Sequence, residues 1–425
     1  MPSLSASVIV NVEANYIETY LKQKGFSRNE EQKGQKLQYW VDKLMQDKKI
    51  DIPDFENFLF EELFWGKRKH LRIYKLESVK NIKFSNDWLE KLQEKYNVNS
   101  LNFVSILDTI VTDQNSKKIA AITSEENYKG ELTRLRILFV VYAQVYEEQQ
   151  FKDTSVYIPV DIDFEKKSMI IKAWNRNGLV EGNRPDTIMD NIKNIMSLSF
   201  DVKTKNFQFR HKKVLYNMSQ GLIGDIYVKI PAFNEISELK ESIKKFEQNV
   251  FASLSLEHIR EEKKEETENR LKLEEGVLDF EDEIHKVIEK LVVSDYFYDM
   301  PYEEVWNMGI DTIISKIRFN DVEHVLTSLN GDDTEMPIFC TKTFMALKKS
   351  MEDAKLVERL WIVKNRIRGK LGLKFDATKE EYLEILILSH IRFKQDDLTT
   401  AMEIYRKYGS GHIKPVTETS ERNIV

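Results

Sequence analysis

The stretch Val156-Tyr157-Ile158-Pro159-Val160-Asp161-Ile162-Asp163-Phe164-Glu165-Lys166-Lys167-Ser168-Met169-Ile170-Ile171-Lys172-Ala173-Trp174 decides the fold class. Val156, Ile158, Val160, Ile162 and Phe164 alternate with Tyr157, Pro159, Asp161, Asp163 and Glu165. A period of two sends these sets to opposite faces of a strand. The polar turn 165–168 leads into an apolar return segment, 169–174. The pattern predicts a β-hairpin with one buried and one wet face. Pro159 has no N–H for a ladder, so an exposed edge is expected there.

Working outward, residues 134–146 fit both a strand and a helix, and their β-branched and aromatic content favours a strand. Further strands are predicted at 70–76, 118–123 and 225–230, and helices at 87–96, 100–111 and from Arg184-Pro185-Asp186 onward. Residues 1–66 read as helical, ending in an aromatic helix (Phe55, Phe58, Phe60, Phe64, Trp65) that stops at Gly66. Such a helix is expected in a core or at an interface. Asn234 opens a helix with a short heptad-like seam of Ile236, Leu239, Ile243, Phe246 and Val250, expected to pack within the chain. Toward the C-terminus the pattern predicts helices at 277–291, 302–316 and 343–355. A second hairpin, from 371–375 to 382–393, and a helix opened by Asp396-Asp397 follow.

The expected class is α+β: a helical N-terminal segment (1–66) and an α+β domain (67–256) around an antiparallel or mixed sheet. A charged helical linker (257–276), a smaller α+β C-terminal domain (277–408) and a disordered tail (409–425) complete it. At 425 residues more than one domain is expected, and 41% hydrophobic residues supply the cores. The single cysteine, Cys340, excludes an internal disulfide; beside Ile338 and Phe339 it is expected to be a buried, inert thiol. No apolar run reaches the roughly 20 residues of a membrane-spanning helix, and no signal peptide is evident, so a cytoplasmic protein without a membrane partner is expected.

Several chemistries lack their signatures. There is no GxxxxGK[ST], GxGxxG or GxSxG, and the seven histidines are scattered without ligand spacing, so no metal site is predicted. Asp332, Asp333 and Glu335 follow Asn330-Gly331 and read as the solvated flank of a turn. The candidate catalytic residues are Asp161, Asp163 and Glu165, spaced to share a strand face, with Lys167 just beyond. Aligned carboxylates with a lysine can hold Mg²⁺ and assist phosphodiester hydrolysis. The alternative is the wet face of a half-buried strand, where acids discourage edge pairing.

Net charge is −6, so any polyanion contact must be local. Arg359, Lys364, Arg366, Arg368, Lys370 and Lys374 form an acid-free basic segment flanked by Trp361 and Phe375. Lys203, Lys205, Arg210, Lys212 and Lys213 form a second, interleaved with Phe207, Phe209 and His211, and 67–75 a third. Cations bind phosphate and aromatics stack on unpaired bases, so these segments are the candidate DNA- or RNA-binding residues.

The function expected from these features is a non-catalytic binding or assembly subunit of an intracellular, bacterial complex. It would associate with nucleic acid, in a setting such as defence against phage or mobile elements. It would have protein partners or self-associate, and it would carry no cofactor. The alternatives are a divergent Mg²⁺-dependent nuclease on the acidic strand face and a protein–protein adaptor.

Overall fold

In the computed structural model of this chain, residues 2–29, 33–113, 116–254, 280–298, 304–320, 326–330, 336–389 and 392–409 are described. The chain opens with α1 (Ala6–Val12), α2 (Ala14–Gln23), α3 (Leu37–Gln46) and α4 (Ile52–Phe64). Then follow β1 (His70–Leu76), α5 (Ser85–Tyr96), β2 (Phe103–Val104), β3 (Lys117–Glu126), β4 (Leu132–Glu147), β5 (Gln150–Asp163) and β6 (Ser168–Ala173). Next come α6 (Pro185–Phe200), β7 (Thr204–Lys205), α7 (Arg210–Tyr227), α8 (Pro231–Glu235), α9 (Lys240–Ser253), α10 (Phe280–Tyr296) and α11 (Glu304–Asn307). Last are β8 (Thr312–Asn320), β9 (Leu326–Asn330), α12 (Lys342–Ala354), β10 (Arg359–Lys364), β11 (Leu371–Asp376), β12 (Leu383–Ile387) and α13 (Gln395–Gly409). The fold is α+β, and its strand pairs are antiparallel.

The chain groups into two compact units, residues 1–212 with 371–404, and residues 213–370 with 405–425. The grouping is not sequential, because β12 pairs with β1 (Arg72 opposite Glu384) and carries the late segment into the first unit. The linker expected at 257–276 and the tail after 409 lie outside the described residues, as do Asp332, Asp333 and Glu335.

In the first unit the sheet order is β2-β3-β4-β5-β6-β1-β12-β11, with β7 paired to the end of β1. The hairpin over 156–174 is present, with Val160 opposite Ile171 and Ile162 opposite Met169. The ambiguous stretch 134–146 is strand β4. Ile158, Val160 and Ile162 share a core with Phe139, Trp88 of α5 and Ile188 and Ile192 of α6.

The other face of β5 is not wet. Residues 156–162 are buried throughout, because α1 and α4 pack on that strand. Pro159 falls where the ladder to β6, which spans 160–163, has ended. That edge is not open to solvent either: Asn11 Nδ2 of α1 donates to the Ser155 carbonyl at 2.9 Å, and the Ser155 N–H donates to Ser7 Oγ at 2.9 Å. The aromatic helix α4 is a core element, with Phe55, Leu59, Phe60, Leu63 and Phe64 buried. It starts where Asp51 accepts from the Asp54 N–H and ends before Gly66, whose φ of +34° favours glycine.

Three expected elements also fail to form. Residues 100–111 are not helical; Phe103 and Val104 pair with β3, whose edge takes their backbone hydrogen bonds. Residues 225–230 are not a strand, since Leu222, Ile223, Ile226 and Tyr227 bury themselves at helical spacing and extend α7. The described residues of 302–316 hold the short α11 and then the start of β8, in which Ile317 and Phe319 alternate into the core.

In the second unit β8 is central, flanked by β9 and β10, with a bulge at Trp361/Ile362. Helix α12 packs on β8, and α9 packs on α10. Of the heptad-like seam, Ile236 and Ile243 are buried while Leu239 and Phe246 are exposed. Cys340 ends a 3-10 turn, and its side chain lies outside the described residues. Among the described residues no helix is long and apolar enough to cross a membrane.

Candidate nucleic-acid interface

The acidic row of β5 is split by its surroundings. Asp161 is 5% exposed and lies opposite Arg136 of β4, with Arg134 diagonal to it. Arg134 grips it with Nε to Oδ1 at 2.9 Å and Nη2 to Oδ2 at 2.8 Å. Burial pushes the Asp161 carboxyl up, but the Arg134 hydrogen bonds and the charges of Lys172, Arg134 and Arg136 outweigh it. The carboxyl is held below its ordinary range. Arg136 turns to Glu61 of α4, at 2.7 Å.

Lys172 of β6 is wholly buried beside this pair, its Nζ 3.2 Å from the ring centre of Trp65 and 3.7 Å from that of Phe64. Its Nζ makes no hydrogen bond, and burial drives the ammonium well below its usual range, against the pull of Asp161.

The rest of the row is elsewhere. Asp163 bonds the Lys166 N–H at 2.7 Å and its Nζ at 2.5 Å, while Glu165 and Lys167 are exposed in the turn beyond β5. Asp161 and Asp163 keep the i, i+2 spacing of one strand face, Glu165 lies beyond the strand end, and both oxygens of Asp161 are held by Arg134. Lys172 and Arg134 were missed in the sequence because only the strand register brings them to Asp161.

The third basic segment, 67–75, is bonded within the fold, with Arg68 and Arg72 buried and Lys67, Lys69 and Lys75 half-buried. Arg68 is wholly buried, donating to the Asn11 carbonyl at 2.9 Å and to its Oδ1 at 2.8 Å; burial lowers its guanidinium to about 9. Lys67 pairs with Glu13 at 2.9 Å, Lys69 donates to the Ser389 carbonyl at 2.6 Å, and Arg72 pairs with Asp186 and Asp190. In the second segment Lys203 and Lys205 sit at and beside β7, Lys203 lying 3.5 Å from Asp201. Arg210, Lys212 and Lys213 stand on the first turn of α7, beside a buried His211 whose imidazole is lowered to about 4 by burial and by Arg210.

The first segment runs along β10 and the turn after it. Lys364 pairs with Asp311 at 2.6 Å, and Lys374, on β11, with Asp376 at 2.8 Å. Arg366, Arg368 and Lys370 lie in the turn around Gly369, where φ is +103°, and Ile367 at its tip is fully exposed. Arg359 and Trp361 stand on the strand itself, opposite Arg318 and Lys316 of β8. Ser328 of β9 lies on the far side of Arg318.

These side chains share one partly exposed sheet face, while Ile317, Phe319, Leu329 and Leu360 fill the other. Lys316 Nζ is 4.9 Å from the Trp361 ring centre. Glu358 lies at the foot of the face, 3.9 Å from Arg318 Nε. Arg318 and Arg359 thus place two guanidinium groups directly opposite each other across the two strands. Lys316 and Arg318 escaped sequence reasoning because residues 302–316 read as helix, which gives β8 no register with β10.

Compared with known proteins, the chain matches no family model and no curated protein.

Proposed function

We propose that the chain is a non-catalytic binding or assembly subunit that holds nucleic acid on the face formed by β9, β8 and β10. One observation carries this reading: Lys316, Arg318 and Arg359 share a partly exposed sheet face with Trp361, and the two arginines stand directly opposite each other. Guanidinium and ammonium groups supply phosphate contacts, and the indole supplies a stacking surface for an unpaired base. Arg366, Arg368 and Lys370, in the turn that follows β10, extend the positive potential.

The test is fluorescence anisotropy of the full chain with single- and double-stranded DNA and RNA at several salt concentrations. Three phosphate contacts give a log–log salt slope of about −2 to −3. Arg318→Glu with Arg359→Glu should abolish binding. Binding that ignores salt, or that survives this double charge reversal, refutes the reading.

A second reading, a protein–protein adaptor, is favoured by the tip of the β4–β5 hairpin. There Tyr146 and Phe151 pack on each other at 5.1 Å between ring centres while both remain exposed. Aromatic pairs of this kind anchor protein interfaces. Light scattering on a size-exclusion column should show self-association that Phe151→Ser reverses; a monomer at every concentration removes self-association from the reading.

A further inference from the structure

We propose that His70, Asp186 and Glu384 bind a divalent first-row transition ion of the Zn²⁺ or Mn²⁺ class. His70 opens β1, Glu384 stands on β12 opposite Arg72, and Asp186 lies in the first turn of α6. Their ligand atoms all lie within 4.8 Å of one another, the one such grouping of His, Cys and carboxylate among the described residues. His70 Nε2 is 2.9 Å from Glu384 Oε2 and 3.8 Å from Asp186 Oδ1.

The second observation is the state of the imidazole. The His70 side chain is 9% exposed, and its Nε2 makes no hydrogen bond. A Glu384 oxygen stands 2.9 Å away, yet no hydrogen bond joins the two. A buried nitrogen without a hydrogen bond, this close to two carboxylate oxygens, suits an ion that sits about 2.0–2.2 Å from each.

Charge favours the same occupant. Asp186, Asp190 and Glu384 converge on a single guanidinium, with Arg72 Nη2 at 2.5 Å from Asp186, Nη1 at 2.6 Å from Asp190 and Nε at 3.6 Å from Glu384. Three carboxylates against one guanidinium leave a net charge of −2 among these four side chains, which one dication balances. Each carboxylate oxygen keeps a second lone pair beside its arginine bond. The Asp186 side chain is 66% exposed, so an ion reaches the cluster from solvent. One imidazole among carboxylates selects Zn²⁺ or Mn²⁺ over Mg²⁺ and Ca²⁺, which take oxygen ligands alone. Bound there, the ion would tie α6, β1 and β12 together.

The test uses the full chain stripped of metal by a chelator, titrated calorimetrically with Zn²⁺ and, separately, with Co²⁺ followed by visible absorption. Loss of a group that merely orients a ligand weakens metal binding about 10–100-fold, so His70→Gln and Asp186→Asn should each weaken Zn²⁺ by at least about tenfold. His70→Gln should also change the Co²⁺ absorption bands, and Zn²⁺ should raise the Tm of the wild type but not of Asp186→Asn. Asp186 is exposed, so that variant keeps the test open if His70→Gln does not fold. Absence of Zn²⁺ binding by the wild type, or equal affinity in both variants and the wild type, overturns the proposal.

Discussion

Arg134 and Asp161 meet in a two-pronged pair, Nε to Oδ1 at 2.9 Å and Nη2 to Oδ2 at 2.8 Å, beneath the helices of the first 66 residues. Removing one member of a buried pair strands the other's charge and costs about 3–5 kcal/mol. Arg134→Ala should therefore lower unfolding stability by that amount in urea titrations at neutral pH. In the wild type the Asp161 carboxyl is held below its unfolded value, so its stabilisation is full above that value, about 3.9 for Asp, and fades as the pH falls through the lower folded one. In Arg134→Ala burial dominates and raises the carboxyl. Mild acidification should then narrow the gap between variant and wild type, and a gap that widens with acid would contradict this.

Lys172 carries the opposite sign. Its folded ammonium lies well below its unfolded value because it is buried, so the unfolded chain binds a proton that the folded chain does not. Stability then rises with pH between the two values. Replacing a buried ionisable group by an apolar one of similar volume is neutral to stabilising by about 1–4 kcal/mol. Lys172→Met should raise Tm at neutral pH and flatten the rise toward alkaline pH. A lower Tm would show that contact with the Trp65 and Phe64 rings stabilises the charged form.

Gly221 is set inside α7 where the ring of Tyr408 lies against the backbone, and a Cβ at that position would overlap the ring. Tyr408 is held in place by its hydroxyl, which donates to Asp225 Oδ2 at 3.2 Å. Overpacking of this kind costs about 1–3 kcal/mol. Gly221→Ala should show that loss by thermal or urea unfolding, and the double variant with Tyr408→Ala should lose less than the two single losses combined.

Arg359→Gln should weaken nucleic-acid binding through loss of one phosphate contact, making the log–log salt slope shallower by about 0.7–0.9. Trp361→Ala should cost single-stranded binding about 1–3 kcal/mol if a base stacks there, with less effect on duplex. Anisotropy measured at several salt concentrations separates the two effects.

The fold was legible where periodicity was strong. The alternation from Val156 to Phe164 and the apolar return 169–174 located the central hairpin, because a helix cannot gather every second residue onto one side. The same alternation misled for the opposite face of β5. Asp161 and Asp163 look alike in sequence, yet Asp161 lies under the N-terminal helices and Asp163 at the strand end. Burial of that kind depends on packing by α1 and α4, which local pattern does not encode.

The candidate site was half legible. Arg359 and Trp361 stood out as part of a basic run, whereas Lys316 and Arg318 became their neighbours only through the register of β8 with β10, two strands distant in sequence. The run 67–75 misled for the converse reason. Arg68 and Arg72 are spaced like surface cations but sit in the interior, Arg68 hydrogen-bonded to Asn11 and Arg72 paired with Asp186 and Asp190.

Strand β1 lies between β6, which precedes residue 174, and β12, which follows residue 382. During synthesis the ribosome therefore releases a sheet in which β7 covers only Lys75 and Leu76 on one flank of β1, and His70–Ile73 wait there for β12, the last of the strands to emerge. Through that interval the nascent chain displays the kind of unpaired edge on which chains aggregate, or which a chaperone must shield. A truncation before β12 would make that transient state permanent.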